Sequence, residues 1–156
     1  MLTYDELIYF IINAVDSMSS IQAIEECNRL GMKKIEFQHL SADSNIPQYD
    51  NGYAFTCSTQ NNNISQVEIL EKEKQILQMG FQIVYKPRLI LSRITGDLKR
   101  MNAILKNYYG DGVPMAMDNV DILNFGNENT ACYISKIKIN NYNIITLRVG
   151  NRLFWN

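Results

Sequence analysis

The chain has 156 residues with 46% hydrophobic and 20% charged side chains. That is the balance of a globular domain long enough to bury its own core, and it excludes a disordered, fibrous or disulfide-scaffolded chain. The formal net charge of −1 hides an asymmetry: residues 1–80 carry eleven acidic against five basic side chains, net −6, and residues 81–156 carry five against ten, net +5. Such a division either pairs within the fold or presents a basic surface to a polyanion.

Cys27, Cys57 and Cys132 are far apart in apolar surroundings with no CxxC spacing. They read as reduced core residues, not as a disulfide framework or a zinc site. Asp5 and Glu6 stand where a secretory signal would carry Lys or Arg, and no apolar run nears the roughly 20 residues of a membrane span. The expectation is a cytoplasmic chain with no membrane, metal or cofactor.

Thr3 and Glu6 form a capping-box pattern, which predicts a first helix from Tyr4 to about Val15. Its apolar residues Leu7, Ile8, Phe10, Ile11, Ile12 and Val15 spread around most of the circumference, so it is either central to the core or the surface through which a second copy would form a homo-oligomer. A second helix, Ile21 to Leu30, ends at Gly31. Together they predict an αα-hairpin; the recognition helix of a helix-turn-helix unit is missing, because Lys33 to Leu40 alternates as a strand does. His39, the only histidine, lies near Ser41 and Asp43, but spacing alone does not build a relay.

Asn51-Gly52 predicts a type I′ turn before the strand 53–59, and Asn61 to Asn63 a polar connector. Ser65 with Glu68 reads as another capping box, opening a helix that closes at Gly80. On that helix Glu73 falls within the stripe Ile69, Leu70, Ile76, Leu77, where a carboxylate would need a cation such as Arg88 or Arg93, or a proton.

Phe81, Ile83 and Tyr85 alternate as a strand, Pro87 breaks it, and Leu89, Ile90, Leu91 and Ile94 read as an interior strand. Thr95 then caps a helix from about Gly96 to Tyr109, and this strand-to-helix junction is a weak anion-site pattern that Asp97 opposes. The cations Lys86, Arg88, Arg93, Lys99, Arg100 and Lys106 make this the best candidate surface for phosphates, nucleic acid or an acidic protein. An acidic loop follows, then the strand 120–125 and a hairpin of 130–139 with 144–149 turning at Asn140 to Asn143. Trp155 predicts a docked C-terminus.

The sequence therefore reads as one α+β domain over 1–156: a mainly antiparallel sheet, about four helices and the N-terminal αα-hairpin. The absence of a catalytic constellation favours a small non-enzymatic binding protein of the inhibitor, immunity or regulatory kind, with a protein partner. Two alternatives remain open: nucleic-acid binding through the basic face of 86–106, with Arg88, Arg93, Lys99, Arg100 and Lys106, and an enzyme or small-ligand binder using Glu73 with an arginine.

Overall fold

The computed structural model describes residues 1–38, 46–59, 63–87, 91–117 and 120–155. Of the residues singled out above, His39, Leu40, Ser41, Asp43, Asn61, Arg88, Leu89 and Ile90 lie outside them.

Eight strands form one antiparallel sheet in the order β1-β2-β3-β4-β8-β7-β6-β5. β1 (Lys33–Ile35), β2 (Asn51–Ser58), β3 (Ile64–Lys72) and β4 (Gln75–Tyr85) make one meander. β5 (Val113–Met117), β6 (Val120–Gly126), β7 (Thr130–Ile139) and β8 (Tyr142–Asn151) make the other, and β4 pairs with β8 to join them. Three helices, α1 (Tyr4–Ser17), α2 (Ser20–Arg29) and α3 (Leu91–Tyr109), complete an α+β architecture. No helix among the described residues is long and apolar enough to cross a membrane.

Alternation decides which side of the sheet the helices cover, because residues paired directly across strands share a face. Val67 pairs with Phe81 and Phe81 with Leu147; Ile69 pairs with Met79 and Met79 with Val149. These rows, with Phe55, Ile83, Ile134 and Ile145, form one buried cluster with α1, α2 and α3. The capping box predicted at Thr3 is present, with the Glu6 amide donating to Thr3 Oγ1 and the Thr3 amide to the Glu6 carboxylate. α1 buries Leu7, Ile8, Phe10, Ile11, Ile12, Ala14 and Val15 within its own chain, so its apolarity is accounted for without a second copy.

The segment read as a helix from Ser65 to Gly80 is instead the β3–β4 hairpin. Glu73 and Lys74 both have positive φ, 52° and 63°, the geometry of a type I′ turn without its usual Asn-Gly. Glu73 is thus exposed at a turn, its amide donating to Asp50 Oδ2 at 2.9 Å. Of the apolar pairs that imitated a helical stripe, Ile76-Leu77 comes from a bulge after Leu70, where β4 carries one extra residue, while Ile69 and Leu70 are consecutive residues of β3 on opposite faces. Ser65 caps nothing: its hydroxyl lies 3.2 Å from Thr59 Oγ1 in a buried pair.

Three further expectations change. Asn51 and Gly52 lie inside β2, where Gly52 is required because the Phe37 ring sits within 2.3 Å of where a Cβ would be. Leu91 and Ile94 belong to α3, which begins five residues before Gly96, so Thr95 and Gly96 are within a helix and form no strand-to-helix anion site. The pair of N-terminal helices is held differently from a packed αα-hairpin: Ser19 bridges Gln75, and the Ser20 amide donates to the Lys74 carbonyl, pinning the start of α2 to the β3–β4 turn.

Several polar groups on the covered face are paired. Glu71, two residues from Glu73 and in step with Val67 and Ile69, is the buried carboxylate of this hairpin; it accepts from the Ser20 hydroxyl and from Asn51 Nδ2 at 2.9 Å. The Tyr85 hydroxyl donates to Asp97 Oδ2 at 2.9 Å, tying β4 to α3, and Asn63 donates to the Tyr4 hydroxyl at 2.9 Å. Cys27, Cys57 and Cys132 are buried free thiols, their pKa values pushed by burial to about 12, 11 and 12, so they stay protonated and unreactive.

Candidate functional site

Among the described residues the other face of the sheet carries no helix. At its centre three neighbouring strands place nine residues on a grid: Gln66, Glu68 and Leu70 of β3, Gln82, Gly80 and Gln78 of β4, and Thr146, Arg148 and Gly150 of β8. Gly80 is the middle of this grid, with Glu68 on one side and Arg148 on the other. Having no side chain, it leaves a hollow of about 60 Å³ bounded by its neighbours, room for a few waters or one side-chain head group. The hollow is obligatory: a Cβ at Gly80 would lie 2.2 Å from the Leu147 carbonyl oxygen and 3.0 Å from Arg148 Cγ.

Glu68 is held between opposing influences. Partial burial pushes its pKa up, while the Arg148 charge and a hydrogen bond from Gln66 Nε2 at 3.1 Å pull it down. Gln78 and Thr146 are largely buried at the floor, and Gln82 is exposed at the rim. The grid therefore presents one acid, one base, three amides and a hydroxyl, an array suited to recognising a polar group.

Towards β5 the same face turns apolar. Val84 pairs with Ile144, Ile144 with Ile137 and Ile137 with Val120; Met115 pairs with Ile122. Val84 and Met115 are 44% and 49% exposed, and Ile139 and Tyr142 at the hairpin end are 48% and 45%. One corner is covered by the chain itself, where Trp155 packs on Gly150 and donates from Nε1 to the Leu77 carbonyl at 3.3 Å, the docked C-terminus expected from the sequence.

The basic residues singled out in the sequence lie elsewhere. Arg93, Lys99, Arg100 and Lys106 are exposed along α3, on the helix side of the sheet. Arg100 forms a fork to Asp5 of α1, 3.0 and 3.3 Å, so the acidic half answers part of the basic strip, and Lys106 approaches Asp111 of its own half at 3.3 Å. Glu73 shares no site with Arg93, which is one turn from Asp97, itself bonded to the far end of β4, roughly 30 Å of strand from the turn; Arg88, its other expected partner, lies outside the described residues. Among the described residues no group of three or more His, Cys, Asp or Glu side chains is placed to hold a metal ion.

Sequence reading missed the grid because its members come from three segments that only strand pairing assembles. A signal was present: S-Q-V-E-I over 65–69 alternates polar and apolar residues, the period of a half-covered strand. The chain matches no protein-family model, no curated protein and no solved structure.

Proposed function

We propose that this is a small non-enzymatic binding protein that acts on another protein through the helix-free face of its sheet, in the manner of an inhibitor, immunity or regulatory protein. The observation that carries the reading is the juxtaposition on one face of a preformed polar hollow, Gly80 between Glu68 and Arg148, with a field of half-exposed aliphatic residues. Protein interfaces combine such an apolar field with a few placed polar groups, and contiguous exposed apolar surface on a globular chain marks an interaction site. The hollow has the size of a side-chain head group, well below the roughly 300–1,000 Å³ of pockets that take small molecules. The paired state of Arg100 and Lys106 weighs against the basic strip of α3 as the main contact surface.

The test is affinity capture from the source cell with three forms of the protein: wild type, Val84→Asp on the helix-free face, and Lys99→Glu on α3. A protein retained by wild type and Lys99→Glu but lost with Val84→Asp, and then shown by calorimetry to bind when purified, supports the reading. Loss with Lys99→Glu alone, retardation of nucleic acid in a low-salt gel shift, or turnover of a substrate would overturn it.

A further inference from the structure

The polar grid is self-complementary, and this points to an occupant for the face. Glu68 and Arg148 flank Gly80 on the two strands either side of β4, one strand spacing of about 4.8 Å from it in each direction. A two-fold axis running along β4 above Gly80 exchanges those two directions. It therefore lays Glu68 of one copy over the partner's Arg148, and Arg148 over the partner's Glu68. No other axis in the plane of the sheet does this; an axis across the strands would set acid on acid and base on base. The same operation carries the apolar field of β5 to β8 over the β1 and β2 side of the other copy, where half-buried Ile35 and the Phe37 ring, edge-on to Tyr49 at 6.1 Å, are the large apolar groups.

From this geometry we propose that a second copy of the chain occupies the helix-free face when its protein partner is absent, forming a two-fold, face-to-face sheet dimer that masks the binding surface. The proposal rests on the reading of that face as a protein-binding surface and adds its regulation by self-association. The physical basis is isologous pairing: in a two-fold interface each contact occurs twice, so one acid and one base placed symmetrically about the axis yield two ion pairs from a single patch. Arg148 has contacts within its own chain, and a guanidinium carries five N–H donors. Glu68 accepts from Gln66 Nε2 at Oε1, and a carboxylate carries two acceptor oxygens. Sheets stacked face to face cross at about 30°, which an axis tilted by half that angle from β4 provides. The outer edge of the sheet is a poorer route to association, because Pro114 removes a donor from edge strand β5.

The experiment is a charge swap read by sedimentation velocity on the full chain. Wild type is expected to be dimeric at high concentration and to dissociate on dilution. Glu68→Arg and Arg148→Glu are each expected to be monomeric, with circular dichroism showing that both remain folded, and an equimolar mixture of the two is expected to restore a dimer containing one of each. Val84→Asp, which leaves both charges in place, is expected to weaken the wild-type dimer at least tenfold and serves if either charge variant fails to fold. A wild type that is monomeric throughout, charge variants as dimeric as wild type, folded monomeric variants that do not pair on mixing, or an unaffected Val84→Asp dimer would each overturn the proposal. A monomeric wild type that still captures a protein through this face would leave the proposed function standing and remove only the dimer.

Discussion

The two faces of the sheet are written by the same strands and obey opposite rules. On the covered face most alternate residues of β3, β4 and β8 are aliphatic or aromatic, and the polar groups Glu71, the Tyr85 hydroxyl and, just before β3, Asn63 each bond to a helix residue, a neighbouring strand or a buried tyrosine. On the free face the intervening positions are glutamine, glutamate, threonine, arginine and glycine around Gly80, with Leu70 at one end and Val84 and Ile144 at the other. Polar groups on the first face fasten helices to the sheet, whereas those on the second are spent on one another and on whatever approaches from outside. A slip of one residue in any register would exchange the two sets, so the pairing itself keeps the acidic and basic groups out of the core.

Gly80 is where this comparison breaks most severely. Its absent side chain is a requirement of backbone packing as well as the reason for the hollow, because the clash is with the Leu147 carbonyl, an atom that cannot rotate away. Gly80→Ala is expected to destabilise by about 3 kcal/mol, the upper range for overpacking. Urea denaturation would show it as a lowered midpoint at unchanged slope; a midpoint at the wild-type value would mean that β4 and β8 do not approach as described.

On the covered face the corresponding change is Tyr85→Phe. It leaves the ring's packing intact and removes the donor to Asp97, a carboxylate that is 8% exposed. An unsatisfied buried acceptor costs about 2 kcal/mol. Asp97→Asn and the double variant complete a cycle, and an interaction free energy near zero would show that the two groups are not coupled.

Glu68→Gln makes the contrast at the free face, with a smaller effect and a distinct sign. Burial raises the folded-state pKa of Glu68 above its ordinary value of 4.5. Just above 4.5 the folded chain then holds more protons on this residue than the unfolded chain does, so stability falls as pH rises through that window. Removing the carboxylate should abolish that slope and leave the variant as stable as wild type or more so above the window. Thermal melts across the range would check it; a variant that loses stability as pH rises more steeply than wild type would show that Arg148 and Gln66, not burial, dominate at Glu68.

How much of this was legible in the sequence depends on which face and which turn is considered. The Thr3–Glu6 box, the alternation of Phe81, Ile83 and Tyr85 and the β7–β8 hairpin were visible, because each is set by neighbours along the chain. The β3–β4 hairpin was hidden twice: its turn is Glu73-Lys74 instead of Asn-Gly, and the bulge beside Leu70 doubles the apolar residues until they imitate a helix. The same disguise makes Glu73, which is exposed, look like the buried carboxylate in place of Glu71, which is buried and bonded. The grid at Gly80 was illegible for a different reason: Glu68 and Arg148 are 80 positions apart, and only the β3–β4–β8 order makes them neighbours.

The smallest expected effect also tests the boundary of α3. Read from sequence, Thr95-Gly96 resembles a helix start; in the structure the helix already runs from Leu91, and Gly96 lies on its exposed side with nothing within 4 Å of the place an alanine methyl would occupy. In a helix interior glycine is less favourable than alanine by about 0.5–1 kcal/mol, since it loses more backbone freedom on folding. Gly96→Ala should therefore stabilise by roughly that amount. A denaturation midpoint at or below the wild-type value would mean that Gly96 does not lie in the interior of α3.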